Sequence, residues 1–444
     1  MSSTFASLRY PNYRIWFGAA LVANIGTWMQ RVAQDWLVLT VLTDNSGVAV
    51  GITTGLQFLP VLLLSPWAGL LADRVPRRRL LMITQGSMGL LAGGLGALVL
   101  LGHAELWHAY LFAFLLGCVA AIDNPVRQTF VAEMVPAEKL SNAVGLNSAS
   151  FNAARLIGPG VAGLLIAAIG TGWVFVFNGI SFGATIAALA FMRTDSLRPM
   201  PSAGRSRGQI REGIAYVKGR SDIVVIMVVV GIVSSLGLNF QLTAALMATT
   251  EFDKGPGEYG VLGSILAIGS LAGALMAARR DRPRVRLVIG SALAFGVASG
   301  VMALMPTYWT YAAMSIVVGF CSLTMLTSAN STIQMSTSPE VRGRVMSLYM
   351  IVLLGANPVG SPLVGWIGEV FGARWSIGVG AIASIVVALG AALWTKRHWR
   401  YDVSYRLHAS PHVVVTHPAT APAEREAAAD RIAGDDAAGR STAA

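Results

Sequence analysis

The chain has 444 residues, 54% of them hydrophobic and only 12% charged, with 48 glycines and a net charge of +11. That balance, with a positive mean hydropathy, excludes a soluble globular protein of ordinary composition and points to an all-α polytopic membrane protein. The positive charge does not imply nucleic acid as a partner, because the basic residues sit in loops between apolar runs, where they orient a chain in the lipid bilayer.

At about 20 apolar residues per span, helices are expected near 14–41, 48–73, 79–101, 107–129, 140–169 and 172–193. A second six are expected near 222–248, 258–279, 285–305, 308–335, 341–370 and 374–396. No cleavable signal peptide is read, since the first apolar segment is long and carries Arg31 and Asp35. Among the 33 Lys and Arg, Arg31 and Arg155 lie within spans and Lys254 and Arg374 in loops of one side. All the others fall at the N-terminus, in the alternate loops, in the long central segment and in the tail. The positive-inside rule then places both termini in the cytoplasm.

The chain divides into four regions: a first six-helix half (1–193), a cytoplasmic linker (194–221), a second six-helix half (222–397) and a disordered tail (398–444). Within the linker, Ile210, Ile214, Ala215 and Val217 form a short amphipathic stretch. The halves read as repeats, since Pro136 and Pro159 recur at the same spacing as Pro339 and Pro362. Cys118 and Cys321 fall in apolar runs and all six histidines in loops or the tail, so no metal site and no cofactor is read.

A charged side chain inside a span costs about 2.5–3.5 kcal/mol on insertion scales and needs a reason. In the first span Arg31 and Asp35, four residues apart, share a helix face in a segment that also holds Gln34. Two readings stand: Asp35 gains and loses a proton during transport, or Arg31 and Asp35 form a locked ion pair. The loop between spans 2 and 3 carries Gly69, Asp73, Arg74, Arg77 and Arg78, and span 4 ends in Asp123, Pro125 and Arg127. Span 5 carries Asn152, Arg155, Gly158, Pro159 and Gly163, a pattern for a kinked, closely packed helix. Arg155 could compensate Asp35, bind an anionic substrate group or satisfy backbone carbonyls. In the second half the polar candidates for a cavity are Asn239, Gln241, Asn330, Gln334 and Asn357; interhelical hydrogen bonding is the alternative for each.

Gly69, Leu71, Ala72, Asp73, Arg74, Arg77 and Arg78 resemble the signature loop of the major facilitator superfamily, with Pro76 where that family usually has glycine. The resemblance implies twelve transmembrane helices in two six-helix repeats, the major facilitator fold. It also implies a cytoplasmic gate in which Asp123 pairs with Arg77 and Asp73 faces the start of helix 11. Gly158, Pro159 and Gly163 resemble the helix 5 motif of drug/proton antiporters, with Ala162 at one glycine position, and an acidic residue on helix 1 recurs in those antiporters. The stretch from Leu8 to Trp36 and the run from Asp123 to Gln128 resemble the bacterial branch that includes the enterobactin exporter and the twelve-helix multidrug exporters. This resemblance implies proton-coupled efflux of small molecules, drugs or a siderophore, by alternating access in a bacterial inner membrane. The partners would be a small-molecule substrate, protons and the bilayer. An importer or facilitator of a small metabolite on the same fold is the alternative. A membrane-embedded enzyme is a remote one, since no cluster of nucleophile, acid and base is read and no nucleotide-binding loop is present.

Overall fold

The computed structural model describes residues 3–198, 209–278, 285–398, 402–405 and 413–416; the side chains of residues 3, 4, 65–70, 72, 73, 209–211, 278, 339, 340, 398, 402–405 and 413–416 also lie outside the described set. The helices are α1 (Pro11–Trp36), α2 (Gly47–Arg74), α3 (Arg77–Leu100), α4 (Leu106–Met134), α5 (Ala137–Ile169) and α6 (Thr171–Phe191). They continue with α7 (Gln209–Lys218), α8 (Ser221–Leu236), α9 (Phe240–Leu246), α10 (Pro256–Ala278) and α11 (Val285–Ala303). The remainder are α12 (Tyr308–Ser336), α13 (Pro339–Gly355), α14 (Asn357–Phe371) and α15 (Ala373–His398). Among the described residues, eleven segments are long and apolar enough to cross a membrane, with α8–α9 and α13–α14 each counting as one. Helix α1 falls outside that group because of its polar residues. Its 26 residues nevertheless span about 39 Å at 1.5 Å per residue, and it packs along α5 and α6. This fits the twelve spans expected.

Local sequence accounts for the helix boundaries. Pro11 opens α1 where its missing N–H is unneeded, and the Ser46 hydroxyl caps α2 by accepting from Ala49 N. Two expected continuous spans are broken. The seventh stops at Gly237 and restarts after Asn239; the eleventh stops at Ala356, and Asn357-Pro358 start α14, since proline fits the first turn of a helix but not its interior. The two breaks face each other: Asn239 Oδ1 accepts from Ser361 Oγ at 2.6 Å and Ser235 Oγ donates to Ala356 O at 3.2 Å. The amphipathic stretch of the linker is α7, packed on α13, where Gly213 meets Arg344 and Leu348 and Glu212 pairs with Arg344.

The chain forms two compact units, Met1–Ile385 and Val386–Ala444. In the second, Asp402–Tyr405 pairs antiparallel with Val413–Thr416. At these positions the β-branched run Val413 to Thr416 favours an extended chain.

Within the first unit, the helices α1 to α6 meet α8 to α14 along two seams, α2 on α14 and α5 on α10. Both seams are tightest at the end away from the basic loops. A Cβ at Gly47 would lie 2.6 Å from Gly365 O, and one at Gly163 would lie 2.5 Å from Pro256 O. Only glycine permits backbones this close. Glu369 of α14 joins the first seam by accepting from Ser46 Oγ at 2.8 Å and Val48 N at 3.2 Å. The end opposite the basic loops is therefore closed. At the basic-loop end the first six helices have their own core, built on Tyr13, Trp16, Leu81, Phe130, Met134 and Leu189.

Candidate functional site

The polar face of α1 is divided between packing and exposed chemistry. Gly26 lets α6 approach, and Asn178 Nδ2 donates to Gln30 Oε1 there. Gln34, 1% exposed, accepts from Gln57 Nε2 at 3.3 Å and donates to Ala109 O at 3.4 Å. Both glutamines thus tie α1 to its neighbours, and Gln34 is buried between α2 and α4. Asp35 is 3% exposed and its Oδ2 accepts from the Tyr259 hydroxyl of α10 at 3.4 Å. The same hydroxyl lies 3.3 Å from Gln241 O, and the ring of Tyr259 stacks on Trp36 at 5.9 Å. This carboxylate therefore touches the second set of helices at the closed end.

No ion pair within 4 Å joins Arg31 to Asp35 among the described residues. The locked pair is corrected on geometry: the Arg31 guanidinium lies over Trp28 at 5.1 Å and beside Phe58 at 5.7 Å. Arg155 of α5 approaches the same indole at 5.7 Å, and Phe151 meets it edge-on at 5.8 Å.

Helix α5 runs unbroken through Pro159, whose missing N–H leaves one rung of the hydrogen-bond ladder unmade. The Ser264 hydroxyl of α10 sits at the next rung, accepting from Gly160 N at 3.1 Å and donating to Leu156 O at 2.7 Å. Gly158 lies against Trp28 and Gly163 against Pro256. These motif residues hold α5 between the aromatic cluster of α1 and the closed seam. Asn152 bonds its own helix at Ser148 O, 2.8 Å away.

The basic-loop end differs from the expected gate. Asp123, 1% exposed, accepts from Thr84 Oγ1 at 2.6 Å, Gln85 Nε2 at 2.7 Å and Arg127 Nη2 at 2.8 Å. Arg77 pairs with Glu133. The expected Asp123 to Arg77 pair is therefore corrected. Helices α3 and α4 run antiparallel, so Arg77 at the start of α3 reaches the last turn of α4, while Asp123 lies ten residues earlier, about 15 Å back along that helix. Arg78 donates to Leu189 O at 2.6 Å and Ala190 O at 3.2 Å, capping the last turn of α6. Arg74 is exposed. Gly69 and Asp73, with the contact expected for Asp73, lie outside the described side chains.

In the second set, Asn239 is committed to the helix breaks and Asn330 to Gln334 on one face of α12. Gln241 contributes its backbone carbonyl, and Asn357 begins α14. An open, mainly apolar groove of about 570 Å³ adjoins the breaks, lined among others by Leu62, Gly231, Ser235, Val352 and Gly355. Sequence reasoning missed Tyr259, Trp28, Phe58, Glu133 and Glu369. Only Trp28 carried a signal, being one turn from Arg31 on the same face.

A family model described as transmembrane secretion effector matches residues 2–417. The chain is 24% identical to the staphyloferrin A transporter of Staphylococcus aureus, with 85% of this chain and 94% of that protein covered. It is 28% identical to the multidrug efflux pump Tap of Mycolicibacterium fortuitum, over 80% of this chain and 88% of that one. Among solved structures it resembles a POT family transporter in complex with a thioalcohol-conjugated peptide, at a TM-score of 0.69 and 12% identity, covering 87% of this chain and 96% of that one.

Proposed function

Because the chain belongs to the transmembrane secretion effectors of the major facilitator superfamily, we propose that it expels small molecules, a drug or a siderophore, by proton-coupled alternating access. The multidrug efflux pump Tap supports efflux, and the staphyloferrin A transporter supports a small-molecule substrate. Residues 1–193 and 222–397 act as the two moving halves in a bacterial inner membrane, with both termini cytoplasmic and residues 194–221 joining them. The closed seam is then the outer gate, and the structure corresponds to a state shut towards the outside.

One observation carries the coupling: the buried Asp35 carboxylate accepts a hydrogen bond from Tyr259 across the seam between the halves. A proton on Asp35 removes the negative charge that holds this contact, so protonation and the opening of the outer end are linked. The test is flux of an amphipathic organic anion, with a lipophilic cation beside it, driven by a pH gradient in vesicles of the purified protein. Flux in the wild type and its loss in Asp35→Asn is expected. Unchanged gradient-driven flux in Asp35→Asn would remove Asp35 from the mechanism, and net uptake against the expected direction would favour the importer.

A further inference from the structure

Arg31 and Arg155 hold charges that no hydrogen bond or ion pair among the described residues answers. Each guanidinium carries five N–H donors, yet neither makes a hydrogen bond or ion pair among the described residues. What each meets is the ring of Trp28, at 5.1 and 5.7 Å. The carboxylate of this stretch, Asp35, accepts from Tyr259. Two cations therefore face one anion in a segment where even one uncompensated charge is costly. Both residues are only partly exposed. Stacking against an aromatic face leaves the in-plane N–H fork free, which is the geometry that grips a planar oxyanion. Trp28, Phe58 and Phe151 line the same place with aromatic surface.

We propose that this cluster is a binding site for amphipathic organic anions: Arg31 and Arg155 fork a carboxylate, and its aromatic or apolar body lies along Trp28 and Phe58. The anion supplies the acceptors that both guanidiniums lack and relieves their mutual repulsion across the indole. Calling this anion a substrate rests on the exporter reading above; the existence of the site does not.

The experiment separates the two. Binding of 2-naphthoate and of its neutral counterpart 2-naphthamide to the full chain in lipid nanodiscs is measured by equilibrium dialysis, without a gradient. Naphthoate should bind at least tenfold more tightly than naphthamide. Arg31→Gln and Arg155→Gln should each erase that preference while leaving naphthamide binding and the thermal unfolding midpoint in place. Arg155→Lys, which keeps the charge but loses the fork, should fall between. Equal binding of the two probes to the wild type would overturn the proposal, as would equal losses of both probes in the variants. Anion selectivity in a protein that shows no gradient-driven flux would uphold the site and sink the exporter reading instead.

Discussion

Replacing Glu369 by alanine tests whether the seam opposite the basic loops is a gate. The carboxylate accepts one bond from the Ser46 hydroxyl at 2.8 Å and one from Val48 N at 3.2 Å. It thereby reaches from α14 to the positive end of α2. Each such bond is worth about 0.5–1.5 kcal/mol net, but both are exposed, and solvent screening reduces the pair to about 1 kcal/mol. Helix α2 keeps its own cap, since Ser46 Oγ still accepts from Ala49 N, so the variant loses the link without unwinding the helix. With 1.4 kcal/mol per factor of ten, the ratio of closed to open molecules should fall about fivefold. Spin labels at Asp44→Cys and Val370→Cys, in a background of Cys118→Ser and Cys321→Ser, report the distance across the seam by pulsed electron resonance. An unchanged distance distribution in Glu369→Ala would refute the gate assigned to this end.

Two other substitutions separate further parts of the argument. Gly163→Leu places a Cβ 2.5 Å from Pro256 O, inside contact distance, so the same labels should report a seam end that no longer shuts, and gradient-driven flux should stop. Arg77→Gln leaves Glu133 nearly buried and unpaired, 11% exposed at the side chain, and should destabilise the protein by about 1–3 kcal/mol, read as a lowered unfolding midpoint in detergent. Combining it with Glu133→Gln should recover part of that loss, whereas combining it with Asp123→Asn should be additive. Coupling to Asp123 instead would restore the expected pairing.

The architecture was legible because it rests on long-range averages. Apolar run lengths and the distribution of arginines survive any error of a few residues, and the hydrophobic period of the linker placed α7 closely. Partner choice was not legible, because it depends on depth along neighbouring helices. Asp123 had Arg127 at the i+4 position of its own helix, a pairing visible in the sequence, but the family resemblance drew attention to Arg77. The breaks at Asn239 and Ala356 had local signals in Gly237 and Asn357-Pro358, masked by apolar runs long enough to span unbroken. Tyr259 had none. It lies 224 residues from Asp35, and no period or motif links an aromatic near the start of one span to a carboxylate near the end of another.

That contact is also where proton coupling must be visible if Asp35 carries it. A proton can drive a conformational change only by as much as it is bound differently in the two states. Here Tyr259 offers the Asp35 carboxylate a hydroxyl donor, which would leave if α10 moved away from α1. Tyr259→Phe removes that donor, but keeps the ring stacked on Trp36, so the packing term stays and about 1 kcal/mol of the polar term is lost. Asp35→Asn alters the same term from the other side. If the contact carries the coupling, each single variant shifts the label distance towards the open form by a few-fold, and the double variant shifts it no further than the larger single one. Additive shifts would mean that Asp35 and Tyr259 act on the seam independently. The proton would then have to work through Arg31, whose nearest aromatic partner is Trp28, and Arg31→Gln should show the missing coupling with Asp35→Asn in the same measurement.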